Sequence, residues 1–129
     1  MSHQEDHQLE TYKSMISIAL EAMKSVVLLN GGAVVALLAF LGQVASRGQH
    51  VPNAARPIGF FIFGLTVGCL TFFTSYFVQF SLLNESYGRE SKPFRHMPWL
   101  WVTFCLGVSG IVSFAIGAYS SLGVFYQIK

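Results

Sequence analysis

Three long runs of uncharged residues dominate the pattern along this chain. Residues 26–46, 58–84 and 97–128 contain no Asp, Glu, Lys or Arg. A helix of about 18–20 apolar residues crosses a hydrocarbon core of about 30 Å, and each run is longer than that. The pattern predicts an all-α integral membrane protein, embedded in a lipid bilayer, with transmembrane helices over about 26–46, 58–84 and 98–124 and no sheet.

The first run contains the triplet Asn30-Gly31-Gly32, which usually marks a tight turn. A turn there would leave only residues 33–46 to cross the bilayer, about 21 Å of helix at 1.5 Å per residue. A non-helical break would also strand backbone N–H and C=O groups in lipid. We therefore predict a helix that runs through the triplet, from about residue 9 to residue 46. A buried re-entrant break is the alternative.

Residues 1–24 show a different pattern, in which an apolar and a polar face alternate with helical spacing. The apolar face comprises Leu9, Tyr12, Ile16, Ala19 and Met23, and the polar face comprises Glu10, Lys13, Ser17, Glu21 and Lys24. This predicts an amphipathic helix over 1–24, followed by a three-helix transmembrane domain over 25–129. The helix is either continuous with the first span or kinked near Ser25 so that it lies on the lipid surface. Its acidic residues favour a seam between helices over binding to anionic lipid.

The apolar spacing of the amphipathic helix continues into the first span. It passes through Val26, Asn30, Ala33, Leu37, Phe40 and Val44. A polar residue at one position of such a seam can set register and assembly number. We therefore hypothesise that Asn30 pairs between subunits, with Gly31 and Gly32 allowing the backbones to approach.

Small residues form a face on each predicted span, and such faces allow membrane helices to pack closely. The faces comprise Gly32 and Ala36 in the first span, with Ala39 beside them, Gly64, Gly68, Thr71, Ser75 and Gln79 in the second, and Ser109, Ser113, Gly117 and Ser121 every four residues in the third, with Gly110 adjacent. They can serve packing within one chain or contacts between subunits. Asn30 and Gln79 are the strongest polar groups in the spans, and they suit either hydrogen bonds between helices or the lining of a pore.

The distribution of charge predicts the orientation. Five basic residues (Lys13, Lys24, Arg89, Lys92 and Arg95) lie on the side of the N-terminus and second loop, and three (Arg47, Arg56 and Lys129) lie on the other side. Basic residues concentrate on the cytoplasmic side, so we expect a cytoplasmic N-terminus and a periplasmic C-terminus. The segment before the first span is net acidic, unlike the start of a secretory signal, so we expect that span to be retained.

Candidate chemistry is sparse. Ionisable residues in the middle of a span are typical of proton relays and ion coupling, and these spans have none. The four histidines lie outside the middle of the spans, which disfavours haem ligation. The sequence shows no nucleophile with a base, no phosphate loop and no zinc spacing. We expect no enzymatic activity, cofactor, metal or nucleic-acid partner.

Residues 29–42, LNGGAVVALLAFLG, preceded by the amphipathic helix, resemble a segment of small bacterial inner-membrane proteins, some of which accompany mobile elements or phage-defence loci. The resemblance implies a bacterial inner-membrane location and brings no catalytic residues. Two classes of function stay open. One is a homo-oligomeric membrane protein that forms a pore or perturbs the bilayer as an effector. The other is a non-catalytic accessory subunit or anchor, which binds a protein partner through the amphipathic helix.

Overall fold

The computed structural model describes residues 3–86 and 96–127, with the side chains of residues 6–84 and 97–127. Three helices make up this part of the chain: α1 (His3–Ser46), α2 (Ala55–Ser86) and α3 (His96–Phe125). Their 44, 32 and 30 residues correspond to lengths of about 66, 48 and 45 Å. All three are long and apolar enough to cross a membrane. The predicted all-helical fold with three such helices is confirmed for the described residues.

Helix α1 runs without interruption through Asn30-Gly31-Gly32, as predicted from the length of the span. There is therefore no re-entrant break at the triplet. The same helix joins the amphipathic segment to the first span, so the continuous arrangement holds rather than an interruption near Ser25. The helix ends at Ser46 because Gly48 adopts a left-handed conformation, with φ of 67°. The Gly48 N–H donates to Ala45 O (3.0 Å) and the Gln49 N–H donates to Val44 O (3.3 Å), which closes the last turn.

Helix α2 begins at a capped N-terminus. The Asn53 side-chain oxygen accepts a hydrogen bond from the Ala55 N–H at 3.0 Å, as a helix-capping residue does. The Asn53 N–H in turn donates to the Gln127 side-chain oxygen at 3.2 Å, which fastens the first loop to the end of α3. The first loop and the end of α3 therefore lie on the same side of the bundle, as the predicted topology requires.

The helices alternate in direction, and α2 packs most extensively against α3. The Ser113 hydroxyl on α3 donates to Phe60 O on α2 at 2.6 Å, and the Phe61 and Phe114 rings lie 5.7 Å apart. Helix α1 adds to this pair, with the Phe40 and Phe125 rings 5.1 Å apart near its end. The buried apolar cluster lies in this half of the bundle and comprises Leu37, Ala54, Phe61 and Val124.

The stripe of α1 that carries the apolar spacing of the amphipathic helix faces the other two helices. Val26, Asn30, Leu37 and Val44 are buried on this side. Towards the N-terminus the same stripe is covered less, since Ile16 and Met23 are half-buried and Leu9 and Tyr12 are exposed. The stripe is therefore a seam within the chain over the uncharged part of α1, and it is uncovered towards the N-terminus.

Candidate functional site

The three helices meet at Asn30, near the start of the uncharged part of α1. None of the Asn30 surface is exposed. The side-chain amide nitrogen donates to Val26 O at 2.9 Å and to Gly110 O on α3 at 3.3 Å. The second bond links α1 directly to α3, while the side-chain oxygen is buried without a hydrogen-bond partner. We call this contact region the Asn30 crossing, comprising Val26, Asn30, Gly64, Gly68 and Gly110.

Glycines on α2 and α3 make room for α1 at the Asn30 crossing. A Cβ atom on Gly64 would overlap the Asn30 carboxamide, and a Cβ on Gly110 would lie 2.7 Å from a methyl of Val26. A Cβ on Gly68 would lie 3.0 Å from a Val27 methyl and 3.2 Å from one of Val26. Such close approach of backbones is what glycine provides in membrane helix pairs. A side chain larger than that of glycine at Gly64, Gly68 or Gly110 would therefore press against residues of α1.

The remaining small residues of α2 and α3 serve contacts inside the bundle. Thr71 is buried and its hydroxyl donates to Val67 O at 2.9 Å. Ser75 is half-buried, and its hydroxyl lies 3.4 Å from the Met23 sulfur of α1 and 2.8 Å from Thr71 O. On α3, Ser113 bonds to α2 and Gly117 leaves space for the Phe61 ring, to which a Cβ would approach within 2.7 Å.

Other predicted site residues lie elsewhere. Gly32 and Ala36 are exposed on the opposite side of α1, and a Cβ on Gly32 would meet nothing within 4 Å. Gly31 is half-buried, with Leu65 in ordinary contact at 3.6 Å from an added Cβ. Gln79 is exposed on α2, and Ser109 is half-buried with its hydroxyl bonded to Leu106 O of its own helix. The predicted small faces thus divide into an inner set and an outer set.

One residue of the crossing, Gly110, lies beside the predicted third face rather than in it. The predicted face passes through Ser109, Ser113 and Gly117 in steps of four residues. A helix turns once every 3.6 residues, so steps of three and four follow a face better than steps of four alone. Gly110, Ser113, Gly117 and Val124 are the buried positions of α3 and follow the mixed spacing. The alternation of three- and four-residue steps was therefore the feature of the sequence that could have identified Gly110 as a buried position.

The Asn30 crossing is suited to holding helices in register. A carboxamide donates and accepts hydrogen bonds but carries no charge. Among the described residues, no group of three or more His, Cys, Asp or Glu side chains comes together as a metal would require. The charges nearest to the crossing on α1 are Glu21 and Lys24, which form an exposed ion pair at 2.7 Å.

No family model matches the chain, and no curated protein or solved structure matches it either. The class that the fold itself defines is an all-helical chain with three helices that are able to span a membrane. Both hydrogen bonds of the Asn30 amide lie within one chain. The hypothesis that Asn30 pairs between subunits stays a prediction, and it would require Asn30 to leave the crossing.

Proposed function

We propose that this chain is a non-catalytic protein of the bacterial inner membrane that acts by associating with further copies of itself. The observation that carries the proposal is the division of the small residues. Most of those on α2 and α3 are used inside the chain, namely Gly64, Gly68, Thr71, Ser113 and Gly117. Gly32 and Ala36 of α1 are instead exposed along a helix that is able to span a membrane. Since small residues promote helix contacts in lipid, an uncovered small face favours association.

The proposed effect of association is a pore or a disturbance of the bilayer. The polar groups at the Asn30 crossing are enclosed by Gly64, Gly110 and Val26, so a water-filled path would run between copies rather than through one chain. The resemblance of residues 29–42 to small bacterial membrane proteins, some near phage-defence loci, supports an effector role.

The proposed orientation has the N-terminus in the cytoplasm and the C-terminus in the periplasm. The excess of basic residues supports it, five on the side of the N-terminus against three on the other side, since basic residues favour the cytoplasmic side. Lys13 and Lys24 are counted against Arg47 and Arg56. Arg89, Lys92 and Arg95 on the first side, and Lys129 on the second, lie outside the described residues.

Two measurements test the proposed function. The protein, extracted in mild detergent or native nanodiscs after expression alone, should give a defined homo-oligomer by light scattering. Its overproduction should depolarise cells, as followed with a membrane-potential dye. An oligomer without depolarisation would contradict the effector role but keep self-association, whereas a monomer that leaves the potential intact would contradict both.

A second function is favoured by a separate observation at the start of α1. Beyond the uncharged span, this helix exposes Leu9, Tyr12, Met15 and Ile18, with 46, 45, 57 and 67% of their surfaces uncovered. An amphipathic helix with uncovered apolar residues is a docking element for another helix. The alternative is therefore an accessory subunit or anchor for a larger complex. Such a subunit would be monomeric or unstable without its partner, and its overproduction would be harmless.

A further inference from the structure

The Asn30 crossing gives all three helices one common level. The Asn30 amide nitrogen lies 3.3 Å from Gly110 O, and a Cβ on Gly110 would lie 3.5 Å from Gly64 O. Because the three backbones meet there, positions along each helix can be measured from the crossing at about 1.5 Å per residue. A tilt of about 20°, which is usual for membrane helices, shortens such distances by only about 6%.

Aromatic side chains lie at equal distances on either side of this level. Helix α3 has two exposed Trp or Tyr side chains, Trp101 and Tyr119, with 62 and 78% of their surfaces uncovered. Each is nine residues from Gly110, so they lie about 27 Å apart along the helix. Trp and Tyr concentrate at the two boundaries of a hydrocarbon core that is about 30 Å thick. The crossing lies halfway between these two residues.

Charged side chains on the other two helices mark similar levels. Lys24 of α1 is about 9 Å from the crossing, and its amino group reaches back to Glu21, which is about 13.5 Å away, at a distance of 2.7 Å. A lysine near a membrane boundary extends its amino group towards water in this way. Arg56 of α2 lies about 12 Å to the other side of the crossing. The charge-free layer that the three helices share therefore lies between Lys24 and Arg56, and its centre is close to the crossing.

Other depths would place a charge in the middle of the bilayer. The midpoint of the uncharged run of α1 is Ala36, and a membrane centred there would leave Arg56 about 3 Å from its mid-plane. The midpoint of the uncharged run of α2 is Thr71, and a membrane centred there would leave Lys24 within about 2 Å of the mid-plane. Ionised side chains are costly at the centre of a bilayer. The contacts between the helices thus exclude the depth that either run suggests by itself.

We propose that lipid surrounds the bundle with the mid-plane of the bilayer at the Asn30 crossing. Headgroups contact Trp101, Glu21 and Lys24 on one side, and Tyr119 and Arg56 on the other side. The inference rests on the proposed membrane location and adds the depth. The carboxamide that joins α1 to α3 then lies at the centre of the hydrocarbon core.

This depth determines what surrounds the N-terminal half of α1. The 18 residues 3–20 extend about 27 Å beyond the level of Glu21. Met15 lies about 22.5 Å from the mid-plane, which is about 7.5 Å outside a core of 30 Å, and Leu9 and Tyr12 lie farther out. Their exposed apolar side chains are therefore outside the hydrocarbon core, and lipid tails do not cover them.

Nitroxide labels on single cysteines measure the depth. The two native cysteines, Cys69 and Cys105, are free and are first replaced by Ser. Each single-cysteine variant is labelled and reconstituted into vesicles of phosphatidylethanolamine and phosphatidylglycerol. Collisions of the label with oxygen, which concentrates at the bilayer centre, are compared with collisions with a water-soluble nickel chelate. The ratio of oxygen to nickel collisions rises with depth.

Phe104 and Ile116 form a matched pair on α3. Both are exposed, and they lie six residues before and six residues after Gly110. Phe104→Cys and Ile116→Cys should therefore give equal ratios, and Ile111→Cys, next to the crossing, should give the highest ratio of the series. Met15→Cys on α1 should be as accessible to nickel as a label in water.

The outcomes separate the depth from the membrane location. A highest ratio at Ile116→Cys would move the mid-plane to the level of Ala36, and a highest ratio at Phe104→Cys would move it towards Thr71. Either result would overturn the proposed depth and keep the membrane location. Free access of nickel to every label on α3 would overturn the membrane location as well. A label at Met15→Cys that lipid shields from nickel would overturn the exit of α1 from the bilayer.

Discussion

Substitution of Gly64 by Ala probes the Asn30 crossing with the smallest possible change. The added methyl group would occupy space that the Asn30 carboxamide fills. Asn30 has no exposed surface, so its side chain can move only by giving up its hydrogen bond to Gly110 O. The substitution therefore forces either a shift of α1 against α2 or the loss of the bond between α1 and α3.

The expected loss of stability depends on which of the two routes relieves the overlap. Overpacking with a shift of α1 costs about 1–3 kcal/mol. Loss of a hydrogen bond between membrane helices costs about 0.6–1.7 kcal/mol. Gly64→Ala should therefore lower the free energy of unfolding by about 1–3 kcal/mol.

The measurement is unfolding in mixed detergent micelles with increasing sodium dodecyl sulfate, followed by tryptophan fluorescence. Trp99 stacks on Phe77 with ring centres 4.9 Å apart, so its emission reports the contact between α3 and α2. Gly59→Ala is the matched control, because it makes the same change in the same helix where a Cβ meets nothing within 4 Å. This control should be neutral or slightly stabilising.

A double-mutant cycle identifies the cause of the loss. Asn30→Ala removes the carboxamide and frees the space, so Gly64→Ala should cost little in that background. The reasoning is refuted if Gly64→Ala is as stable as Gly59→Ala, or if its full cost persists when Asn30 is Ala.

Three further predictions concern other parts of the molecule. Gly68→Leu should destabilise the isolated chain, since Gly68 touches Val26 and Val27, whereas Gly32→Leu should leave the unfolding curve unchanged and lower the oligomer fraction in light scattering. Ser113→Ala removes the bond to Phe60 O and should lower the unfolding free energy by about 1 kcal/mol in the same detergent titration, and an unchanged midpoint would contradict that role. A reporter fused after Lys129 should be active in the periplasm, and cytoplasmic activity would reverse the proposed orientation.

The sequence was informative where a single physical constraint dominates. The thickness of the hydrocarbon core required a helix through Asn30-Gly31-Gly32, and the structure has it. The apolar spacing of residues 9–23, extended into the first span, also gave the side of α1 that is buried, since Val26, Leu37 and Val44 belong to it. In both cases the prediction depended on a single helix and on a single fixed quantity, the thickness of the hydrocarbon core or the helical period.

The sequence was not informative about which small residues meet each other. Gly32 and Gly64 are the same residue in similar apolar surroundings, yet one is open and the other is filled by Asn30. Their difference depends on how far each helix is rotated about its axis, which is set by the sum of many contacts with two other helices. The acceptor of the Asn30 amide, Gly110 O, depends on the same rotations and on a residue 80 positions away.

Because α1 is one continuous helix, it can transmit a tilt or a force along its whole length. Between His3 and Leu29 there is no glycine or proline at which the helix would bend easily. Leu9 stands about 31 Å along the axis from Asn30, so a tilt of about 5° at the crossing moves Leu9 sideways by about 3 Å. Conversely, a partner that pulls on the exposed N-terminal half applies its torque directly to the hydrogen bond between Asn30 and Gly110. Force applied to the N-terminal half of α1 is thus transmitted to the point where α1 is held to α3.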